Sequence, residues 1–203
     1  MKTYPSINTT VVKGLTYYVF DKLDGSNIRA EWTRKNGFHK FGTRNQLLGE
    51  GNPLFPATYL IKDQYEEALS KIFTKARYEK VICFFEYVGP NSFAGSHPDP
   101  EELMDVFLFD INPYKKGILP PKEYLKLVED HVEIIPLIEI TNINDDLIRE
   151  VREGTLAGMT FEGVVGKGMN KNQLTMVKIK SRNWLDKLRG ICQDETEFNK
   201  RAY

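Results

Sequence analysis

The chain has 203 residues, 41% of them hydrophobic and 28% charged, which is enough to bury a core without disulfides or metal and excludes a mini-protein, a disordered chain and a collagen-like one. Lys plus Arg and Asp plus Glu number 28 each, so a histone-like binder held to nucleic acid by bulk charge is also excluded. The balance is uneven, because residues 167–203 hold nine Lys/Arg against four Asp/Glu, and the C-terminal fifth is the place to expect an anionic partner.

Residues 17–20 and 27–32 read as strands, since Ile28, Ala30 and Trp32 alternate with Asn27, Arg29 and Glu31. Between them lies Lys22-Leu23-Asp24-Gly25, which taken alone reads as a hairpin with an Asp-Gly turn and a solvated lysine. Residues 63–77 place Tyr65, Ala68, Leu69, Ile72, Phe73 and Ala76 at helical spacing. A buried strand is expected at 81–88, a loop rich in Pro, Gly, Ser and Asn at 91–100, and a strand at 106–111. Pro120-Pro121 opens a helix to about Val128, residues 132–140 are apolar and β-branched, 145–152 is a short helix, and 160–165 and 176–180 are strands. No repeat, low-complexity tract or linker interrupts the pattern. The expectation is one α+β domain over residues 1–203, with antiparallel sheets and peripheral helices.

No apolar run approaches the length of a membrane span, and Lys13 with its polar neighbours breaks any apolar stretch ahead of Leu15. The chain therefore reads as cytoplasmic. Cys83 lies in an apolar run and Cys192 near the end, neither in a C-x-x-C pair, so both read as buried thiols. His39, His97 and His131 are too scattered for a zinc site. Gly166-Lys167 lacks the upstream glycine of a P-loop, and no G-x-G-x-x-G is present.

Three segments carry charges where strands are expected. Glu86 sits inside the aromatic run 84–89 and needs a partner, either a core ion pair or a sugar hydroxyl. Glu162 needs a cation, either a metal or a neighbouring lysine. Strand alternation puts Lys178 and Lys180 on one face, Val177 and Ile179 on the other, so the two lysines either flank something anionic or guard a solvated edge.

In order along the chain stand K-x-D-G at residues 22–25, Arg44, F-x-E-x-x-G at 84–89, an aromatic strand ending in F-D at 107–110, E-G-V-V at 162–165 and K-x-K at 178–180. This series resembles the covalent nucleotidyltransferases, the ATP-dependent RNA and DNA ligases and messenger-RNA capping enzymes, over residues 17–182. Asn27 stands where DNA ligases and capping enzymes carry an arginine, and resembles the K-x-H-G-x-N of phage nick-sealing RNA ligases, from which Asp24 departs.

The resemblance implies the ATP-grasp-like nucleotidyltransferase fold of the ligases, with no OB or other C-terminal domain expected after Lys180. It implies that Lys22 is the nucleophile that forms a lysyl-AMP with ATP, that Lys178 and Lys180 contact the α-phosphate, and that Glu162 helps hold Mg²⁺ or Mn²⁺. A lysine of ordinary pKa is neutral in only about one copy in 2,500 at pH 7, so such a nucleophile needs help from its surroundings. Asp24, Asn27, Arg44, Glu86 and Lys167 would bind the nucleotide, with Phe109 stacked on adenine and Phe107 as its substitute. AMP would then pass to a 5′-phosphate RNA end, either free or at the nick of a duplex, for attack by a 3′-hydroxyl, with an accessory protein supplying end binding. The setting would be the cytoplasm, or the host cytosol for a virus-encoded chain. A small DNA ligase or guanylyltransferase, and a non-catalytic nucleotide or nucleic-acid binding module, are the alternatives. The basic segment with Arg182, Trp184, Lys187 and Arg189 reads as a grip on phosphates or as an amphipathic helix with Trp184, Leu185 and Leu188 inward.

Overall fold

The computed structural model describes residues 1–90 and 103–202, so the expected loop at 91–100 lies outside the described residues. Eight strands and five helices are formed there: β1 Thr16–Lys22, β2 Ser26–Thr33, β3 Gly37–Gly42, α1 Pro56–Lys75, β4 Lys80–Val88, β5 Asp105–Pro113, α2 Pro121–Val128, β6 Leu137–Asn142, α3 Asp145–Glu153, β7 Gly163–Asn170, β8 Gln173–Lys180, α4 Arg182–Ile191 and α5 Glu195–Ala202. The strands make two antiparallel four-stranded sheets, ordered β3-β2-β4-β5 and β6-β1-β7-β8. The expected α+β architecture is thereby observed. No helix among the described residues is long and apolar enough to cross a membrane.

One compact unit gathers residues 1–5, 25–90 and 103–134, and the other residues 6–24 and 135–202. In the first, β2, β4 and β5 turn Ile28, Ala30, Trp32, Val81, Cys83, Phe85, Leu108 and Ile111 into the core; alternation does this along β2 and β4, and a register shift at Phe84/Phe85 sets Leu108 and Ile111 of β5 opposite Phe85 and Cys83. Helix α1 buries Ile61, Tyr65, Leu69 and Phe73, a spacing of four that lays one stripe on that sheet. Tyr65 packs edge-on to Phe85 at 4.9 Å, and Phe73 likewise to Trp32 at 5.2 Å. The Trp32 indole donates to Ser70 Oγ at 2.8 Å, so burial leaves that donor satisfied. Cys83 is fully buried, and burial pushes its thiol well up, as expected of an inert core cysteine.

In the second unit, Tyr17, Val19, Val164, Val177 and Ile179 share the face of the sheet that packs on Leu147 and Val151 of α3. Asn144 caps α3 by accepting from Leu147 N–H, and Gly154 ends it at φ 72°. Helices α4 and α5 pack through Trp184, Leu188, Phe198 and Ala202. The inward Trp184 and Leu188 are those expected of an amphipathic helix.

The sequence expectation of a hairpin at residues 22–25 is corrected. Strands β1 and β2 belong to different sheets, so Asp24-Gly25 carries the chain from one sheet to the other. Gly25 is required for a different reason: a Cβ there would stand 2.4 Å from Tyr87 O and 2.9 Å from Glu86 Cγ. The missing side chain lets the chain pass against β4.

Candidate active site

The second unit collects Glu162, Lys167, Lys178 and Lys180 together with Lys22. Register sets Lys22 opposite Gly163 and Gly163 opposite Lys180; two residues along, Phe20 faces Val165 and Val165 faces Lys178; two further, Tyr18 faces Lys167. Because side chains alternate, these rows share one face, and Val177 and Ile179 point to the core on the other. Lys22, Lys167, Lys178 and Lys180 are thus brought to one surface.

Glu162, immediately before β7, is 3% exposed. Its Oε2 accepts from Lys22 Nζ at 2.7 Å and its Oε1 pairs with Lys180 Nζ at 3.1 Å. Of the two partners expected for Glu162, the structure contains the lysines. Lys180 also lies 3.8 Å from the centre of the Trp184 ring. Burial pulls the Lys180 ammonium down to about 8, with Lys22 and Lys178 adding to the fall and Glu162 opposing it. Lys167 is 3% exposed, with its ammonium 4.8 Å from the Phe20 ring centre.

The backbone holding these groups is tightly specified. Gly163 has φ 145°, and a Cβ there would fall 2.1 Å from Ile179 O and 2.8 Å from Lys180 Cα, so only glycine fits beside Lys180. Ser181 Oγ donates to Phe161 O at 2.7 Å and accepts from Trp184 N–H at 3.1 Å, while Ser181 N–H donates to Glu162 O at 2.9 Å. One serine therefore caps α4 and fastens the 161–162 segment to the end of β8. Beside Lys22, Asp21 is buried; burial raises its carboxyl, although Oδ1 accepts from Thr160 N–H at 3.0 Å.

The first unit carries Asn27, Arg44, Glu86 and Phe109. Asn27 on β2 pairs in register with Glu86 on β4, which in turn faces Phe107 on β5. Asn27 Oδ1 is buried with no hydrogen-bond partner among the described residues. Phe109 stacks on Phe84 with ring centres 6.2 Å apart. Arg44 is exposed at a turn closed by Thr43 N–H donating to Gln46 O at 2.9 Å, with Gly42 and Leu47 bridged across its base. Asp24 is half-buried in the second unit, at its boundary in the chain.

Tyr4 escaped the sequence reading. Its hydroxyl donates to Asp110 Oδ2, and its ring meets Phe84 and Phe109 edge-on, each at 5.0 Å. Burial and the Asp110 charge hold its phenol well above the usual value. Arg29 Nη1 ties the same segment down by donating to Met1 O at 2.7 Å. No periodicity marks residues 1–5, so only the tertiary contacts reveal them. Among the described residues no group of three or more His, Cys, Asp or Glu is placed to hold a metal by itself.

Comparison with solved structures returns RNA ligase of Naegleria gruberi. Its complex with pyrophosphate superposes with a TM-score of 0.65 at 19% identity, over 88% of this chain and 53% of that one. A mutant of it with AMP and Mn gives 0.64 at 19%, over 86% and 52%, and another with ATP and Mn gives 0.64 at 18%, over 87% and 52%. At such identity the likeness is one of fold, and this chain spans about half the length of those proteins. No curated protein matches it in sequence. The sequence model of the RNA ligase family matches residues 15–180, which takes in both sheets and every lysine of the shared face, and the chain belongs to the RNA ligase family.

Proposed function

We propose that this chain is the adenylyltransferase unit of an ATP-dependent RNA ligase. The observation that carries the reading is the convergence of Lys22, Lys167, Lys178 and Lys180 on one sheet face around a single buried carboxylate. Four lysines on one face repel one another unless an anion joins them, and a triphosphate supplies that charge. The neutral Lys22 amine attacks the α-phosphorus of ATP; the P–N bond forms as the P–O bond to pyrophosphate breaks, and the proton lost from the Lys22 nitrogen passes to water. Lys178 and Lys180 stabilise charge on the α-phosphate, and Lys167 adds a further phosphate contact. A bound triphosphate favours the protonated form of Lys180, offsetting the burial that holds it at about 8.

Glu162 is the carboxylate that would hold Mg²⁺ or Mn²⁺. A single carboxylate would suffice for a divalent ion that binds together with the nucleotide. Such an ion, when bound, neutralises charge developing on the phosphates. The complexes of the Naegleria ligase with AMP, ATP and Mn support this choice of ligands. Asp24, Asn27, Arg44 and Glu86 bind the nucleotide, and Phe109 stacks on adenine. AMP then passes to the 5′-phosphate of an RNA end, and a 3′-hydroxyl displaces it to seal the strand. An accessory protein supplies further end binding. We place the protein in the cytoplasm, in keeping with the free thiols of Cys83 and Cys192.

The test is incubation with each α-labelled nucleoside triphosphate and Mg²⁺ or Mn²⁺, followed by a 5′-phosphate RNA acceptor. Covalent label from ATP alone, released as AMP-capped and then sealed RNA, is the expected result. Preferential labelling by GTP makes the chain a guanylyltransferase, and no label from any nucleotide overturns the enzyme reading.

A further inference from the structure

The first unit also holds a groove of about 320 Å³ between β3, the turn that carries Arg44 and the start of α1. Its walls bring together His39, Lys40, Phe41, Phe55, Tyr59 and Lys62, and no carboxylate among the described residues lines it. Tyr59 keeps 64% of its surface in solvent and Leu47, at the rim, 54%. Both side chains line the groove, which therefore offers solvent an apolar surface. Tyr59 is braced edge-on against Phe55 at 5.4 Å, and Lys62 reaches over Phe41 with its ammonium 5.9 Å from the ring centre.

Of the acids on or beside the elements that form the groove, Glu66 and Glu31 are engaged elsewhere, while Asp63, next to Lys62 in the chain, is exposed. Glu66, one turn after Lys62 on α1, accepts from Phe38 N–H at 2.6 Å, and Glu31 pairs with Lys80 at 2.8 Å and His39 at 3.6 Å. Lys40 and Lys62 therefore present positive charge on either side of an aromatic floor. Aromatic faces spaced between cations are the chemistry that holds single-stranded nucleic acid, because every base can stack and every linkage carries a phosphate. An acidic peptide would use the lysines and leave the exposed ring without a planar partner.

We propose that this groove binds a single-stranded stretch of the RNA substrate, with a base stacked on Tyr59 and backbone phosphates held by Lys40 and Lys62. The assignment rests on the ligase reading for its choice of RNA, and it gives that ligase a hold on the polynucleotide through side chains other than those assigned to the nucleotide. The experiment measures the affinity of the whole chain for a fluorescein-labelled single-stranded 5′-phosphate RNA by anisotropy across a salt series, for the wild type, Tyr59→Ala and Lys62→Ala. Self-labelling with α-labelled ATP is followed on the same preparations. Tyr59→Ala should weaken RNA binding about tenfold. Lys62→Ala should reduce the slope of log affinity against log salt by about 0.7, the value for one phosphate contact on a single strand. Self-labelling should be unchanged in both, since neither residue belongs to the adenylylation site.

RNA binding that is the same in all three proteins overturns the proposal. A wild type that labels with ATP yet does not bind the RNA also overturns it, while the ligase reading stands. A wild type that binds RNA through Tyr59 yet labels with no nucleotide supports the groove and overturns the ligase reading.

Discussion

Lys22 and Lys180 share one carboxylate: Glu162 Oε2 lies 2.7 Å from Lys22 Nζ, and Glu162 Oε1 lies 3.1 Å from Lys180 Nζ. The two lysines sit on β1 and β8, which flank β7 on either side, so Glu162 ties three strands together electrostatically. Removing one member of a buried ionic cluster leaves the others uncompensated, at a cost of about 3 kcal/mol. Glu162→Gln should therefore lower stability by about that amount, read as a shift in the urea midpoint at unchanged slope. It should also push the Lys180 ammonium below its present value of about 8, because the main attraction opposing burial is gone. Lysine side-chain NMR titration reads that shift, and an unchanged Lys180 would show that Glu162 does not govern it.

On the proposed chemistry the three lysines differ in kind. Lys22 is 22% exposed at the end of its strand and Glu162 keeps Lys180 when it is removed, so Lys22→Ala should lose some stability, remain folded and abolish covalent labelling. Lys178→Ala and Lys180→Ala remove transition-state contacts and keep the nucleophile. Each should slow labelling at least tenfold, about 1.4 kcal/mol. Labelling by the Lys22 variant, or full rates in both of the others, would dismantle the assignment.

Much of this face was legible in the sequence because a strand's period of two is rigid. Once residues 176–180 read as a strand, Lys178 and Lys180 had to share a face, as they do. Helices α2 and α3 were equally plain, marked by Pro120-Pro121 and by the acidic start at Asp145. Local signals said nothing of which strands pair, and so Asp24-Gly25 looked like a hairpin turn although β1 and β2 lie in different sheets. Strand β3 and helix α5 were not anticipated. β3 buries only Phe38 and Gly42, too little for an alternating apolar pattern, and α5 buries just Phe198 and Ala202. Gly163 could be seen as part of E-G-V-V, but the reason for it, a Cβ 2.1 Å from Ile179 O, exists only once β7 and β8 are paired.

A stability effect with a defined pH sign resides on β2. Burial raises the Glu31 carboxyl, but the Lys80 hydrogen bond and charge, with His39 and Lys40, outweigh it and leave the group below its ordinary 4.5. A carboxyl lowered on folding stabilises the protein above its unfolded value and loses that contribution as the pH falls through the folded one. Lys80 is 40% exposed, so water screens the pair and its worth is about 1 kcal/mol. Lys80→Ala should cost that much at pH 7 and progressively less on acidification from pH 5 toward pH 3. Parallel urea curves for the two proteins at every pH would remove Lys80 from the account.

Tyr4 makes two separable contributions, which two substitutions can divide. Its hydroxyl donates to Asp110, which is 1% exposed, and its ring braces Phe84 and Phe109 edge-on. Tyr4→Phe removes only the hydrogen bond; a bond to a charged acceptor contributes about 1.5–3 kcal/mol, and stability should fall by that much. Tyr4→Ala removes the ring as well. The two edge-on contacts add about 0.5–1.5 kcal/mol each beyond the buried area, so the alanine variant should be the less stable by several kcal/mol. The same division should appear in function if Phe109 stacks on adenine as proposed. With the ring kept, Tyr4→Phe holds Phe109 in place, and the KM for ATP in self-labelling should change less than threefold. With the ring lost, Phe109 gains room to leave its stack on Phe84, and the KM should rise about tenfold while labelling at saturating ATP is little affected. Conditions are chosen so that both variants remain folded, which circular dichroism on the same samples verifies. An equal KM in the two variants would show that Tyr4 serves the fold of the first unit alone, and that the aromatic cluster it closes does not position the nucleotide.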